Sequence, residues 1–143
     1  MTKILIQNQQ EMADFAIKMA KSIKNNQIIT LEGNLGAGKT FFAKNFISFL
    51  TDIKQSEITS PTFNIYNHYQ INKQNIYHFD LYRINNEEEL DNIGFYDLLK
   101  GGICLIEWPE IAKKYLPSLF TRIDFNIISE FQREISLSDE QMR

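Results

Sequence analysis

The sequence predicts an α/β fold in which helices flank a mixed, partly parallel sheet. The first observation is the octet Gly33-Asn34-Leu35-Gly36-Ala37-Gly38-Lys39-Thr40, a complete G-x-x-x-x-G-K-T motif. The second is its context, because a β-branched run precedes the octet and a run with helical periodicity follows it. The third is the length of 143 residues, which suits one domain with several more strand-like segments. Together they predict a single P-loop NTPase-like domain over residues 1–143.

The N-terminal half begins with a predicted strand at residues 2–7. Asn8 and Glu11 then form a variant capping box ahead of an amphipathic helix. The apolar residues of that helix are Met12, Phe15, Met19 and Ile23. Residues 27–31 predict a short buried strand, and residues 40–50 predict the helix after the octet. Apolar residues at helical spacing support that second helix; they are Phe42, Phe46, Phe49 and Leu50.

The second half of the chain predicts further strands around a short acidic helix. Residues 51–60 are polar and predict a loop, after which 63–71 and 76–81 predict a hairpin. Asn85 or Asn86 is expected to cap a helix whose first turn carries three glutamates, favourable near its positive dipole end. The remaining predicted strands span residues 101–107, 122–128 and 133–137.

Composition limits the function classes. The net charge of −3 provides no general basic surface, so this chain alone is not expected to hold nucleic acid. The single cysteine, Cys104, excludes an internal disulfide and a cysteine metal cluster, and its apolar neighbours predict a buried thiol. The N-terminal apolar run is too short for a signal peptide, and no stretch is long enough for a membrane span. We therefore expect a cytoplasmic protein.

The octet predicts a phosphate-binding loop. Its glycines let main-chain N–H groups surround a triphosphate, Lys39 brings a positive charge to the β and γ phosphates, and the Thr40 hydroxyl is suited to Mg²⁺. A helix N-terminus at the phosphates adds favourable dipoles. The predicted nucleotide-binding residues here are Gly33, Asn34, Leu35, Gly36, Ala37, Gly38, Lys39, Thr40 and Phe41.

A candidate switch follows about 20 residues after the octet. It comprises Ser60, Pro61, Thr62 and Phe63, in which the proline stiffens the chain and the threonine offers a hydroxyl. A surface turn entering a strand explains the same residues equally well.

Asp80 ends the second predicted hairpin strand, where α/β sheets bind ligands. Its carboxylate could orient water or a magnesium-bound water, and the alternative is a cap on the following turn. His78 alternates with Asp80 on the same strand face. With only two histidines in the chain, a histidine-based metal site is improbable.

Four apolar residues precede Glu107, the layout of a Walker B strand whose terminal acid holds Mg²⁺ opposite the P-loop hydroxyl. The alternative is an exposed acid after a core strand. Trp108 follows immediately, so its indole is expected near the nucleotide, or else packed within the fold.

Four segments, in this order and in a chain of this length, resemble the TsaE (formerly YjeE) family. They are Gly36-Ala37-Gly38-Lys39-Thr40, Ser60-Pro61-Thr62-Phe63, His78-Phe79-Asp80-Leu81-Tyr82-Arg83 and Glu107-Trp108-Pro109-Glu110. The resemblance implies a bacterial P-loop ATPase of tRNA threonylcarbamoyladenosine synthesis that binds a heterodimer of TsaB and TsaD. In that family TsaD transfers the threonylcarbamoyl group to adenosine 37 of tRNA, and TsaC makes the adenylate intermediate. The chain would be an accessory ATPase that meets tRNA only through the complex.

The resemblance also implies residue roles, with ATP and Mg²⁺ as cofactors. Lys39 would bind phosphates, Thr40 and Glu107 would hold Mg²⁺, and Asp80 would support hydrolysis. The segment 60–63 would act as a switch near the γ-phosphate.

Further roles concern the nucleotide more broadly. Trp108 would report on bound nucleotide, and the residues near Gln9–Met12 would lie against adenine. Arg133 occupies the place of a late-strand arginine of the family and would bind nucleotide. Gln132 stands before it where the family often has glycine.

The alternatives to an ATPase are a GTPase, a small-molecule kinase and a nucleotide-dependent binding module. A GTPase is disfavoured for two reasons. Residues 72–75 have Asn in place of the Asp of the N-K-x-D motif and precede the Walker B strand. Residues 91–94 resemble the D-x-x-G motif but follow a helical segment.

A small-molecule kinase normally needs an arginine-bearing lid. The chain has no lid-sized insertion, and its arginines are Arg83, Arg122, Arg133 and Arg143. A nucleotide-dependent binding module without productive hydrolysis is the main competitor.

Overall fold

The computed structural model describes residues 2–61 and 64–141. The strands are β1 (Thr2–Ile6), β2 (Ile28–Gly33), β3 (Tyr66–Ile71), β4 (Gln74–Asp80), β5 (Ile103–Glu107), β6 (Leu119–Ile127) and β7 (Arg133–Gln141). The helices are α1 (Gln9–Lys21), α2 (Lys39–Thr51), α3 (Glu87–Asn92) and α4 (Phe95–Lys100). Two 3₁₀ segments span Gln55–Glu57 and Pro109–Tyr115.

The strands of the described residues form one sheet in the order β1-β7-β6-β2-β5-β4-β3. The neighbours β6, β2, β5 and β4 run parallel, whereas β7 with its two neighbours and β3 with β4 are antiparallel. The predicted mixed, partly parallel sheet is confirmed. Because parallel strands end at the same edge, β2, β4 and β5 deliver their last residues to one crevice.

Both faces of the central sheet are covered. Residues of α1 and α2 pack on one face around Phe42, whose ring lies 5.6 Å from Phe15 and 5.8 Å from Phe125. Residues of α3 and α4 pack on the other face, where Phe79 and Phe95 meet edge-on at 4.9 Å. Residues Ile28 to Glu32 of strand β2 are therefore all buried, since both sides of the strand are covered. This double burial fixes the position of the P-loop that follows β2.

Two predicted helix caps are present. The Asn8 side chain accepts a hydrogen bond from the Glu11 N–H at 2.9 Å. The Glu11 carboxylate accepts one from the Gln7 N–H at 2.8 Å, one residue before the N–H that a standard capping box would use. At α3 the cap is Asn86, which forms a full capping box with Glu89. Each cap satisfies N–H groups that a helix start leaves without internal partners.

Several predicted boundaries differ from the structure. Helix α1 ends at Lys21, so Ile23 packs on the core from beyond the helix. Phe49 follows the helical period of α2 but is 43% exposed. Strands β6 and β7 extend past the predicted segments because they pair with each other along nine residues. No helix in the described parts of the chain has the length and apolar character needed to cross a membrane.

Candidate functional site

An open cavity of about 1280 Å³ lies at the edge where β2, β4 and β5 end. Most sequence-predicted site residues line it, namely Leu35, Gly36, Ala37, Gly38, Lys39, Thr40, Phe41, Ser60, Pro61, Asp80, Glu107, Trp108 and Arg133. Gly33 and Asn34 begin the loop next to it. Thr62 and Phe63 of the predicted switch lie outside the described residues, so the switch stays a prediction.

The P-loop depends on glycine at both ends. A Cβ on Gly33 would lie 2.5 Å from the Phe125 carbonyl oxygen, so a larger residue would push β2 away from β6. Gly38 caps α2 with φ of 111°, a left-handed conformation that other residues rarely adopt. Between them, the Ala37 N–H donates to the Asn34 carbonyl at 3.1 Å. The loop is thus a tight turn that leads directly into the N-terminus of α2.

Lys39 lies inside this loop and is 4% exposed. Its ammonium donates to the Gly33 carbonyl and lies 3.3 Å from the centroid of the Trp108 ring. Burial lowers the pKa of Lys39, while the nearby acids Glu107, Glu110 and Asp80 act in the opposite direction. A bound polyanion would stabilise this partly desolvated positive charge.

Glu107 connects the P-loop helix to β4. The Thr40 hydroxyl donates to its Oε1 at 2.8 Å, and His78 Nε2 lies 2.6 Å from its Oε2. Glu107 is 2% exposed, which excludes the interpretation as an exposed acid after a core strand. The structure therefore brings the predicted Walker B acid together with the P-loop hydroxyl.

Asp80 faces the same cavity from the end of β4, in register with Glu107 on β5. Burial raises the pKa of its carboxyl, and a hydrogen bond from the Tyr82 N–H at 3.0 Å opposes that shift. The two interpretations of Asp80 are compatible in geometry. It caps the turn after β4 through one oxygen and also lies beside the P-loop.

Trp108 has a left-handed backbone, with φ of 57°, and begins the 3₁₀ segment Pro109–Tyr115. Its ring lies 4.8 Å from that of Tyr82 and above the Lys39 ammonium. The indole is therefore packed against the fold and against the P-loop lysine at once. A ligand that moves the Lys39 ammonium would therefore change the surroundings of the Trp108 ring.

Sequence reasoning missed the role of His78 beside Glu107. His78 is completely buried, and its Nδ1 has no hydrogen-bond partner among the described residues. The available signal was a histidine within an apolar strand, two residues before Asp80 on the same face. Its partner could not be read from the sequence, because that contact depends on the register between β4 and β5.

We expect His78→Phe to lower the free energy of unfolding by about 1–3 kcal/mol, because Glu107 Oε2 would remain buried without its partner. Urea denaturation of the variant measures this. The matched control is His68→Phe, which changes an exposed histidine stacked on Tyr77. A double-mutant cycle with Glu107→Gln should give a coupling above about 0.5 kcal/mol, and strict additivity would contradict the prediction.

The residues present suit a nucleotide with Mg²⁺. In the described part of the chain, no group of three or more His, Cys, Asp or Glu could hold a metal by itself. Mg²⁺ commonly uses one or two protein oxygen ligands together with phosphate oxygens and water. Thr40 and Glu107 are joined directly at the foot of the P-loop and supply such oxygens.

Comparisons with known proteins agree with this geometry. The model of the family described as "Threonylcarbamoyl adenosine biosynthesis protein TsaE" matches residues 6–135. The tRNA threonylcarbamoyladenosine biosynthesis protein TsaE of Rickettsia prowazekii is 38% identical over 135 residues, which cover 94% of this chain and 93% of that protein. The protein of the same name from Bacillus subtilis is 34% identical over 132 residues, covering 92% and 81%.

A solved structure extends the likeness to three dimensions. The crystal structure of YdiB from Bacillus subtilis superposes with a TM-score of 0.73 at 30% identity, covering 99% of this chain and 86% of that one. The family match spans most of the sequence, and the relatives align over nearly its whole length. This chain therefore belongs to the TsaE family.

Proposed function

We propose that this protein is a Mg²⁺-dependent ATPase that supports synthesis of N6-threonylcarbamoyladenosine at adenosine 37 of tRNA. Membership of the TsaE family supports the pathway. The observation that carries the chemistry is that Lys39, Asp80 and the Thr40–Glu107 pair face one cavity at the ends of β2, β4 and β5. A P-loop lysine with acidic residues at neighbouring strand ends is the arrangement with which P-loop NTPases bind phosphates and Mg²⁺.

Each residue has a distinct role in this proposal. Lys39 binds the β and γ phosphates, and Thr40 and Glu107 hold Mg²⁺. When bound, Mg²⁺ neutralises the charge that develops on the phosphates. Asp80 orients the attacking water through the carboxylate oxygen that Tyr82 leaves free. Trp108 reports on occupancy through its contact with Lys39.

The proposed partners are TsaB and TsaD, acting as a heterodimer whose turnover this protein supports. The net charge of −3 agrees with contact to tRNA only through that complex. A cytoplasmic location follows from the proposed pathway.

A nucleotide-dependent binding module is the second candidate. The observation that favours it is the hydrogen bond between Asp80 and the Tyr82 N–H, because this bond alone explains the carboxylate as a turn cap. In that case ATP would order the site for a partner without being hydrolysed productively.

Phosphate release from ATP separates the candidates. It would be measured for the protein alone, with TsaB, with TsaD and with both, alongside formation of modified adenosine in tRNA. Hydrolysis that rises only with partners supports the proposal. ATP-dependent partner binding without phosphate release supports the module, and transfer of phosphate to a small acceptor supports a kinase.

We expect Glu107→Gln to raise the Mg²⁺ concentration needed for half-maximal activity roughly tenfold or more, since second-shell and ligand changes typically have effects of this size. Metal-free ADP affinity should hold or improve, because a negative charge near the phosphates is removed. Phosphate release over a range of Mg²⁺ concentrations measures the first quantity, and calorimetric titration with ADP without Mg²⁺ measures the second. Glu110→Gln, three residues later and exposed, is the control, and identical Mg²⁺ titrations for wild type and Glu107→Gln would contradict the assignment.

A further inference from the structure

Arg133, the first residue of β7, binds five main-chain carbonyls on two different loops. Its Nε donates to Ala37 at 3.2 Å and its Nη2 to Gly36 at 3.1 Å, both in the P-loop. Its Nη1 donates to carbonyls of the β6–β7 loop, at 2.9 Å for Ser129, 3.2 Å for Glu130 and 2.9 Å for Gln132. One side chain therefore connects the phosphate-binding loop to a loop formed almost a hundred residues later.

The two P-loop bonds fix the orientation of consecutive peptide groups. In a trans peptide the C=O of one residue and the N–H of the next point in opposite directions. Holding the carbonyls of Gly36 and Ala37 toward Arg133 therefore turns the N–H groups of Ala37 and Gly38 away from it. The Ala37 N–H is used within the loop, in its bond to Asn34. The Gly38 N–H lies at the start of α2, where phosphate-binding loops present their donors.

Arg133 is itself held firmly by the sheet. Its main chain is in register with Ile6 of β1 and with Ile127 of β6, so strands flank it on both sides. The β6–β7 loop is also closed tightly, because the N–H groups of Ile128 and Ser129 donate to the Gln132 carbonyl. The guanidinium therefore links the sheet to the P-loop from a fixed main-chain position.

We propose that Arg133 is a positioning residue, which holds the P-loop in its phosphate-binding conformation and couples that loop to the β6–β7 loop. This inference rests on the proposed nucleotide-binding function. These bonds use the Nε N–H, both N–H groups of Nη1 and one of the two on Nη2, which favours positioning over direct phosphate binding as the main role. Lysine is not an equivalent residue, because a single ammonium cannot span acceptors on two loops.

Hydrogen exchange in the nucleotide-free protein tests the positioning role directly. We expect both Arg133→Lys and Arg133→Ala to accelerate exchange in the P-loop and in residues 128–132, while β2 and β5 keep wild-type protection. The matched control is Gln132→Ala. It removes side-chain bonds to Gln7 and Ser129 but keeps all five carbonyls, so its exchange should rise in residues 128–132 only.

Nucleotide affinity provides the second readout, measured by calorimetry with ATP and with ADP. Loss of a hydrogen bond to a charged group corresponds to roughly tenfold in affinity. We expect both Arg133 variants to lower the affinity for ATP and for ADP by about that factor, so that the ratio of the two affinities is unchanged. The lysine variant should not recover affinity despite its charge.

The proposal would be overturned by wild-type exchange in the nucleotide-free variants, or by wild-type nucleotide affinity in Arg133→Lys. Exchange that rises throughout the sheet in both variants would also overturn it, since Arg133 would then support the whole fold. If the wild-type protein binds no nucleotide, the proposed function fails instead. The exchange experiment still decides the positioning role in that case.

Discussion

Replacing Lys39 with alanine is expected to reduce ATP hydrolysis by roughly 100-fold or more, since removing one preorganised donor from a reacting oxyanion has effects of this size. The β and γ phosphates would lose the positive charge that the Lys39 side chain brings to them. Nucleotide affinity should fall as well. Phosphate release with both partners and calorimetric titration with ATP measure the two effects.

The fold should survive this substitution. Burial lowers the pKa of Lys39, so the buried ammonium is less favourable here than in water and its removal is not expected to unfold the protein. Circular dichroism and urea denaturation would verify the fold. Lys44→Ala, on the same helix α2, is the matched control and should keep wild-type hydrolysis. If Lys39→Ala folds and shows normal partner-stimulated hydrolysis, the predicted role of the P-loop in hydrolysis is wrong.

Replacing Asp80 with asparagine is expected to lower kcat for ATP hydrolysis by about 10²–10⁴-fold, the range for a positioned proton acceptor. ATP affinity should stay within a few fold, because the carboxylate acts on the attacking water more than on bound nucleotide. Asparagine keeps an oxygen for the Tyr82 N–H, so the turn after β4 should be preserved. Single-turnover kinetics together with calorimetry separate the two quantities.

The pH profile offers a second check on Asp80. Because burial raises the pKa of its carboxyl, wild-type hydrolysis should decline on acidification at a higher pH than an exposed aspartate would give. Asp97→Asn, on the exposed surface of α4, is the control. If Asp80→Asn hydrolyses ATP at the wild-type rate, Asp80 is only a turn cap. If Asp80→Asn loses hydrolysis but tRNA modification continues, the binding module is the better interpretation.

Features governed by local sequence were predictable. The strand, loop and helix around the octet follow from short-range requirements on glycine and on apolar spacing. The same holds for the caps Asn8 and Asn86, whose partners lie three residues away. Short-range preferences of this kind are present in the sequence itself.

Features governed by tertiary packing were not predictable. Helix α4 has only six residues and is stabilised by burying Phe95 against Phe79 and Tyr115. Phe49 has the correct helical period, yet its position on α2 remains 43% exposed. Periodicity indicates which residues share a face, whereas burial depends on what covers that face.

The candidate site shows the same division. Lys39, Thr40, Asp80 and Glu107 were predicted because each ends a strand or belongs to the octet. The partner of His78 is set by strand register, and the partners of Arg133 are main-chain atoms, which carry no sequence signature. Whether Arg133 contacts nucleotide directly stays a prediction.

The position of β2 at the centre of the sheet has a consequence for synthesis on the ribosome. Its neighbours are β5 and β6, so Ile28 pairs with Cys104 and Ile29 with Thr121, far along the chain. Since translation proceeds from the N-terminus, the phosphate-binding octet emerges long before the strands that will support it. Contacts of such high sequence separation also form slowly. A partly synthesised chain therefore carries the motif without a site, and nucleotide can stabilise the protein only once most of its sheet has assembled.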